Sequence, residues 1–150
     1  MSAEPEYRPR LNHVAITMDR ALLDDNGRKE ILDFYGDVFG WTEGDNTDER
    51  GNPLIMYTGE FGQFVFLVPG DASPATTVDH FGLQVSTCEE IEEIVAKAKE
   101  RQRSDDRVSV TDIHSRITRG PVHEYTLTSA YIGFVLPLTI ELQNITRRES

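Results

Sequence analysis

Two short stretches constrain the fold more than anything else in the chain: "LNHVAIT" at residues 11–17 and "VDHFGLQV" at 78–85. Each alternates like a half-buried strand, carries a histidine third, and precedes a segment with helical spacing. In the first, His13, Ala15 and Thr17 share one face, and Asn12, Val14 and Ile16 the other. "DNGRKEILDFYGDVFGW" follows, with Ile31, Leu32, Phe34, Tyr35, Val38 and Phe39 at helical spacing and Gly40 as the C-terminal stop. "WTEGDNTDERGNPLIMYTGEFGQFVFLVPG" then reads as three short strands, broken by "GDNTDERGN" and "TGEFG".

The second half repeats the plan. After the strand with His80 comes "TCEEIEEIVAKAKERQR", a helix with Ile91, Ile94, Val95 and Ala98 on one side. Thr87 is its expected N-cap, with Glu90 as capping-box partner. "DRVSVTDIHSRI", "GPVHEYTLTSAYI" and "FVLPLTIELQN" supply three more strands, the first two joined by a turn near "TRGP". His13 and His80 lie 67 positions apart, so two isolated histidines become a matched pair in a repeat of element order. The expected fold is α+β, two tandem βαβββ modules. Module one covers 11–69 and module two 77–144, with a linker at 70–76, a flexible arm at 1–10 and a tail at 145–150.

Charge narrows the partners. Fifteen Lys and Arg against 26 Asp and Glu leave a formal charge of -11, a field that repels phosphate backbones and anionic membranes. Neither nucleic acid nor a membrane surface is an expected partner. Cys88 is the single cysteine, which excludes an internal disulfide or a Cys-based zinc cluster and suits a reducing cytoplasm. It sits at a helix start with no histidine base nearby in sequence, so it reads as structural. "MSAEPEYRPR" lacks a basic stretch followed by an apolar core, and no apolar run approaches membrane-spanning length. A cytoplasmic location is the expectation. No glycine-rich phosphate loop and no serine nucleophile elbow occur. "CEEIEEI" reads as a solvated helix start, and "DNTDERGN" as a turn without the spacing of a calcium loop.

The stretches "LNHVAI" with "ILDFYGDVFGW", "VDHFGLQV" with its helix, and "YIGFVLPLTIELQ" together resemble the vicinal oxygen chelate superfamily, over roughly residues 11–144. This superfamily includes glyoxalase I, extradiol dioxygenases, fosfomycin and bleomycin resistance proteins and methylmalonyl-CoA epimerase. The resemblance implies that the sheets of the two modules form a cup-shaped, half-open β-barrel, helices outside, around a divalent metal. Carried over residue by residue, it assigns His13, His80 and Glu141 as metal ligands. The fourth place falls in "QFVFLVPG" at Phe66, where no glutamate stands. That departs from glyoxalase I and shifts the likeness toward the extradiol dioxygenases, which keep two histidines and one glutamate. Many relatives dimerise, some by exchanging modules, so a homodimer is expected, with His13 completing the site of a partner's His80 and Glu141 if modules exchange.

Two imidazoles and a carboxylate suit Fe, and are acceptable to Mn, Zn, Ni or Co. Strand alternation sets Thr139, Glu141 and Gln143 on one face of "LPLTIELQ", away from apolar Leu138, Ile140 and Leu142. A carboxylate inside the cup is costly unless a cation accompanies it. Glu141 is thus also a catalytic candidate, joined by Tyr125 as a hydrogen-bond partner for a substrate oxygen. Phe64, Phe66, His123, Thr139 and Gln143 are expected in the substrate pocket. His114 and His123 flank the "TRGP" turn and read either as a pair across a hairpin or as partly exposed residues, the second favoured. Two functions remain open. One is a metal-dependent isomerase, lyase or dioxygenase acting on a small oxygenated molecule. The other is a metal-free binder that sequesters a drug, for which Phe66 and the aromatics Tyr35, Trp41 and Phe64 speak.

Overall fold

The computed structural model describes residues 11–45, 52–60, 62–72 and 78–148. The expected arm at 1–10, most of the linker and much of "GDNTDERGN" lie outside the described residues.

Module one opens with β1 (His13–Asp19), passes through a short 3-10 turn (Arg20–Leu23), and enters helix α1 (Asp25–Phe39). The Asp24 side chain caps α1 by accepting from the Gly27 amide, and Gly40 ends it in the left-handed region at φ 74, its N–H donating to Gly36 O. A residue with a Cβ is strained in that conformation, which is why the glycine works as the stop. Strands β2 (Thr42–Glu43), β3 (Leu54–Tyr57) and β4 (Phe64–Gly70) follow, giving a sheet of order β1-β4-β3-β2 with β1 and β4 parallel. The apolar period of α1 is cashed in as Ile31, Phe34, Tyr35 and Val38, all buried against this sheet's inner face of Ile16, Met18, Val65, Leu67, Leu54 and Met56.

Module two contains β5 (His80–Gln84), α2 (Cys88–Gln102), β6 (Val108–Val110), β7 (His114–Arg119), β8 (Glu124–Phe134) and β9 (Thr139–Arg147). Thr87 accepts from the Glu90 amide, and the Glu90 carboxylate reaches back to the Ser86 amide, so the expected cap forms with its acidic arm one residue further out. Strand order is β5-β9-β8-β6, with β7 also on β8. The stretch expected as one strand is thus two. Residues 111–113 stand against only 130–131, a bulge that shifts the pairing register between Val110↔Ile132 and His114↔Ser129. Thr111 holds the break together, its N–H donating to Tyr131 O at 3.0 Å and its hydroxyl accepting from the Tyr131 amide at 2.8 Å. Residues 145–147, expected in a tail, continue β9 and pair with β8.

The architecture is therefore α+β, two βαβββ modules with one broken strand in the second. Among the described residues no strand of one sheet pairs with the other sheet. The modules are joined instead behind the sheets. Tyr35 buries its ring and donates to Phe134 O at 2.8 Å, Phe34 stacks on Phe134 with centroids 4.4 Å apart, and Arg101 bridges to Asp37 at 2.9 Å. One apolar cluster runs through both inner faces and both helices. Each sheet keeps its other face open.

Candidate metal and substrate site

Alternation fixes what each open face displays. In module two, pairing aligns His80 with Thr139, Gly82 with Glu141 and Gln84 with Gln143 across β5 and β9. Glu141 stands opposite Tyr131, Gln143 opposite Ser129, and Arg147 opposite Tyr125 across β9 and β8. Arg116 and Thr118 of β7 face Leu127 and Tyr125.

The centre of this face is the pair His80 and Glu141, with Nε2 and Oε2 3.2 Å apart. Glu141 is 5% exposed, whereas the His80 side chain is 36% exposed. The other ring nitrogen settles the chemistry. His80 Nδ1 lies 2.7 Å from Val78 O, a carbonyl that can only accept, so Nδ1 carries the proton and donates. In the neutral ring Nε2 is then an acceptor facing an acceptor. The contact is favourable with a second proton on the imidazole or with a cation shared by both groups. A buried carboxylate and an imidazole oriented through its outer N–H are what a metal site requires of its ligands.

Tyr131 completes the cluster. Its ring stands edge-on to His80 with centroids 5.3 Å apart, and its hydroxyl donates to the Glu141 carboxylate. Burial, then the negative charge and hydrogen bond of Glu141, push its hydroxyl pKa above the usual value, while the Arg116 cation pulls the other way. Nothing in the strand reading singled out Tyr131, yet a signal existed. A hairpin centred in "VLPL" puts Tyr131 and Glu141 equally far from residue 136, hence side by side.

His13 lies on the other sheet. Its ring stacks flat on Phe64, with centroids 4.7 Å apart and planes 2° from parallel, and Nδ1 contacts Asn12 Oδ1 at 2.8 Å. As in His80, this leaves Nε2 as the available nitrogen. A cleft of about 560 Å³ beside it is walled by His13, Phe64, Trp41, Phe81, Leu83 and Leu142, without His80 or Glu141. Among the described residues of one chain, no three His, Cys, Asp or Glu side chains come together as a metal-holding group. Of the three expected ligands the chain itself therefore joins two.

The other candidates fall into place by register. Ala15 pairs with Phe66 as Gly82 pairs with Glu141, so Phe66 occupies the counterpart of the glutamate's position, beside Phe64 on the module-one face. Thr139 and Gln143 share the Glu141 face. Tyr125 also lies on it but six residues from Tyr131, across from Arg147, and edge-on to His123. His123 Nδ1 contacts Arg147 Nη2 at 2.9 Å. His114 stands opposite Ser129, so the alternative of a histidine pair across the hairpin is not realised: the hairpin is centred beyond the point that such a pairing needs. Cys88 contacts Asn144 Oδ1 at 3.4 Å, as part of the helix-to-sheet packing.

Residues 10–134 match the model of the Glyoxalase/Bleomycin resistance protein/Dioxygenase superfamily, and the chain belongs to that superfamily. Among solved structures, it is similar to the fosfomycin resistance protein FosX from Listeria monocytogenes, at 16% identity, covering 91% of each chain with a TM-score of 0.61. A point mutant of that protein, complexed with Mn(II) and 1S,2S-dihydroxypropylphosphonic acid, matches at 18% identity and TM-score 0.60, covering 92% of this chain and 93% of that one. A glyoxalase family protein from Bacillus anthracis matches at 14% identity and TM-score 0.56, covering 95% of this chain and all of the other. No curated protein sequence matches the chain. No helix among the described residues is long and apolar enough to cross a membrane.

Proposed function

We propose that this protein is a metal-dependent enzyme acting on a small molecule that presents two neighbouring oxygens to a divalent cation, by isomerase, lyase or dioxygenase chemistry. The observation that carries the reading is the His80–Glu141 contact, two acceptors 3.2 Å apart with His80 already tethered through Nδ1. His80 and Glu141 would hold the cation, with His13 as third ligand. Because His13 stands on a separate sheet, it comes from a second copy in a homodimer of exchanged modules. Mn(II), the ion in the Listeria structure, is the first to test, with Fe, Zn, Ni and Co as the remaining choices. Held by these residues, a divalent cation would supply Lewis-acid chemistry.

The residues of the chain do the rest. Among the described residues of the strands, Glu141 is the one acidic side chain on its face, and it serves as the proton acceptor. Tyr131 holds that carboxylate through its hydroxyl and can transfer the hydrogen bond to a substrate oxygen. Tyr125, Thr139 and Gln143 line the same face, and Phe64 and Phe66 give the facing wall an apolar surface.

The test is metal content by elemental analysis, with a mixing experiment. His13→Ala and His80→Ala each lose bound metal, and mixed dimers of the two regain one site per dimer, because the unmutated His13 of one chain then meets the unmutated His80 of the other. A native protein without metal and without affinity for any of the five ions overturns the reading. It favours instead a metal-free binder, for which the register position of Phe66 speaks.

A further inference from the structure

The turn between β8 and β9 carries a backbone conformation that its residue type disfavours. Val135 stands at φ 52, in the left-handed region, where a β-branched side chain crowds its own backbone. It is the centre of a three-residue turn closed by the Leu136 N–H, which donates to Phe134 O at 2.6 Å, and a positive φ there marks the rarer, strained form. Such a conformation persists only where its surroundings hold it. Here both ends are held. On one side Phe34 stacks on the Phe134 ring, the Arg107 guanidinium lies 5.2 Å from the centroid of that ring, and Tyr35 donates to the Phe134 carbonyl. On the other side the Thr139 N–H donates to Asp79 O at 3.3 Å, next to His80. Between them Val135, Leu136 and Leu138 rest half-buried on the apolar cluster.

What the turn decides is register. Ala130 and Ile132 of β8, and Ile140 and Leu142 of β9, point into the core. A slip of one strand against the other by one residue turns Glu141 inward among them, so packing excludes it. A slip by two residues keeps every apolar group inward. It sets Tyr131 opposite Thr139 or Gln143 instead of Glu141, and packing alone does not choose against it. In the structure Ile132 pairs with Ile140 and Tyr131 with Glu141, which leaves the chain to reverse over residues 135–138. That short reversal is made at the left-handed Val135.

We propose that Val135 is a positioning residue of the His80–Glu141 centre: its left-handed backbone sets the β8–β9 turn to the one length at which Tyr131 meets Glu141. It acts through strand register and not by contact with a ligand. The proposal rests on the functional reading above for the metal chemistry of that centre, and on the pairing of β8 with β9 for its geometry. The side chain of Val135 contributes packing, and the backbone conformation contributes the position.

Variants of the full chain separate backbone from side chain. Val135→Gly accepts the left-handed region without strain, Val135→Ala trims the side chain and keeps the strain, and Val135→Pro bars the region, its ring holding φ at about −65°. Glycine ordinarily melts below alanine; here Val135→Gly should melt above Val135→Ala by roughly 2–4 °C. Register is read directly in chelator, from cross-strand nuclear Overhauser contacts between the backbones of Tyr131 and Glu141. These should persist in Val135→Gly and be lost in Val135→Pro, and also on insertion of two glycines between Val135 and Leu136, which covers the case of a Pro variant that does not fold. Tyr35→Phe, which leaves the Leu136 N–H on Phe134 O, should keep them, so that lost stability alone is not the cause. Mn(II) affinity should stay within about twofold in Val135→Gly and fall at least about tenfold where the contacts are lost. Contacts that survive the insertion, or Val135→Gly melting below Val135→Ala, overturn the proposal. Because the contacts are read without metal, a native protein that binds no Mn(II) defeats the functional reading and leaves the register result to decide this one.

Discussion

The two modules share a plan and differ in what their open faces carry. In each, a parallel pair joins the first strand to the last, the histidine heads the first strand, and the residue two positions on pairs with the place where the last strand presents its key side chain. In module two that side chain is Glu141, flanked by Tyr131. In module one it is Phe66, flanked by Ile55. The same backbone geometry thus holds a charged, hydrogen-bonded centre on one sheet and an apolar, aromatic surface on the other. A repeated fold supplies positions; the residues at those positions decide whether a face binds a cation or packs a hydrocarbon.

That contrast can be broken at its strongest point by Glu141→Gln. The amide keeps the shape but not the charge, and Mn(II) affinity by titration should fall by about 100-fold or more. In chelator, by contrast, the variant should melt no lower than the native protein, since it no longer buries an uncompensated charge. The reverse substitution sharpens the comparison. Phe66→Glu puts a carboxylate into the equivalent register position; if the faces of two copies meet around one ion, Mn(II) affinity should rise by about tenfold while the metal-free protein loses roughly 1–3 kcal/mol in denaturant unfolding. No gain in affinity would mean that the module-one face does not contribute to the centre. The smallest effect concerns the joint between modules. Tyr35→Phe removes the buried hydroxyl that donates to Phe134 O, a carbonyl that keeps the Leu136 N–H, and should cost about 1 kcal/mol in urea unfolding with metal binding unchanged.

Much of this was readable in advance. The apolar spacing of both helices, Gly40 as a stop, Thr87 as a cap and the alternation around Glu141 are local signals, each set by the chemistry of a few adjacent residues. The split of the expected strand at Thr111–Ile113 was not readable, because a bulge depends on the partner strand: the register shift exists only relative to β8. Tyr131 is set apart from Tyr125 by the partner strand for the same reason. Both have the right alternation, and only the pairing of β8 with β9 says which one meets the carboxylate.

What the sequence alone determined is the repeat, the polarity of each strand face and the identity of the chemical groups, since periodicity and residue type are properties of the chain itself. What the tertiary structure decided is which of those groups meet. It brought His80, Glu141 and Tyr131 together and set His13 on a separate sheet against Phe64. These are contacts between residues distant along the chain, fixed by strand register, and register is settled only when buried faces pack against one another.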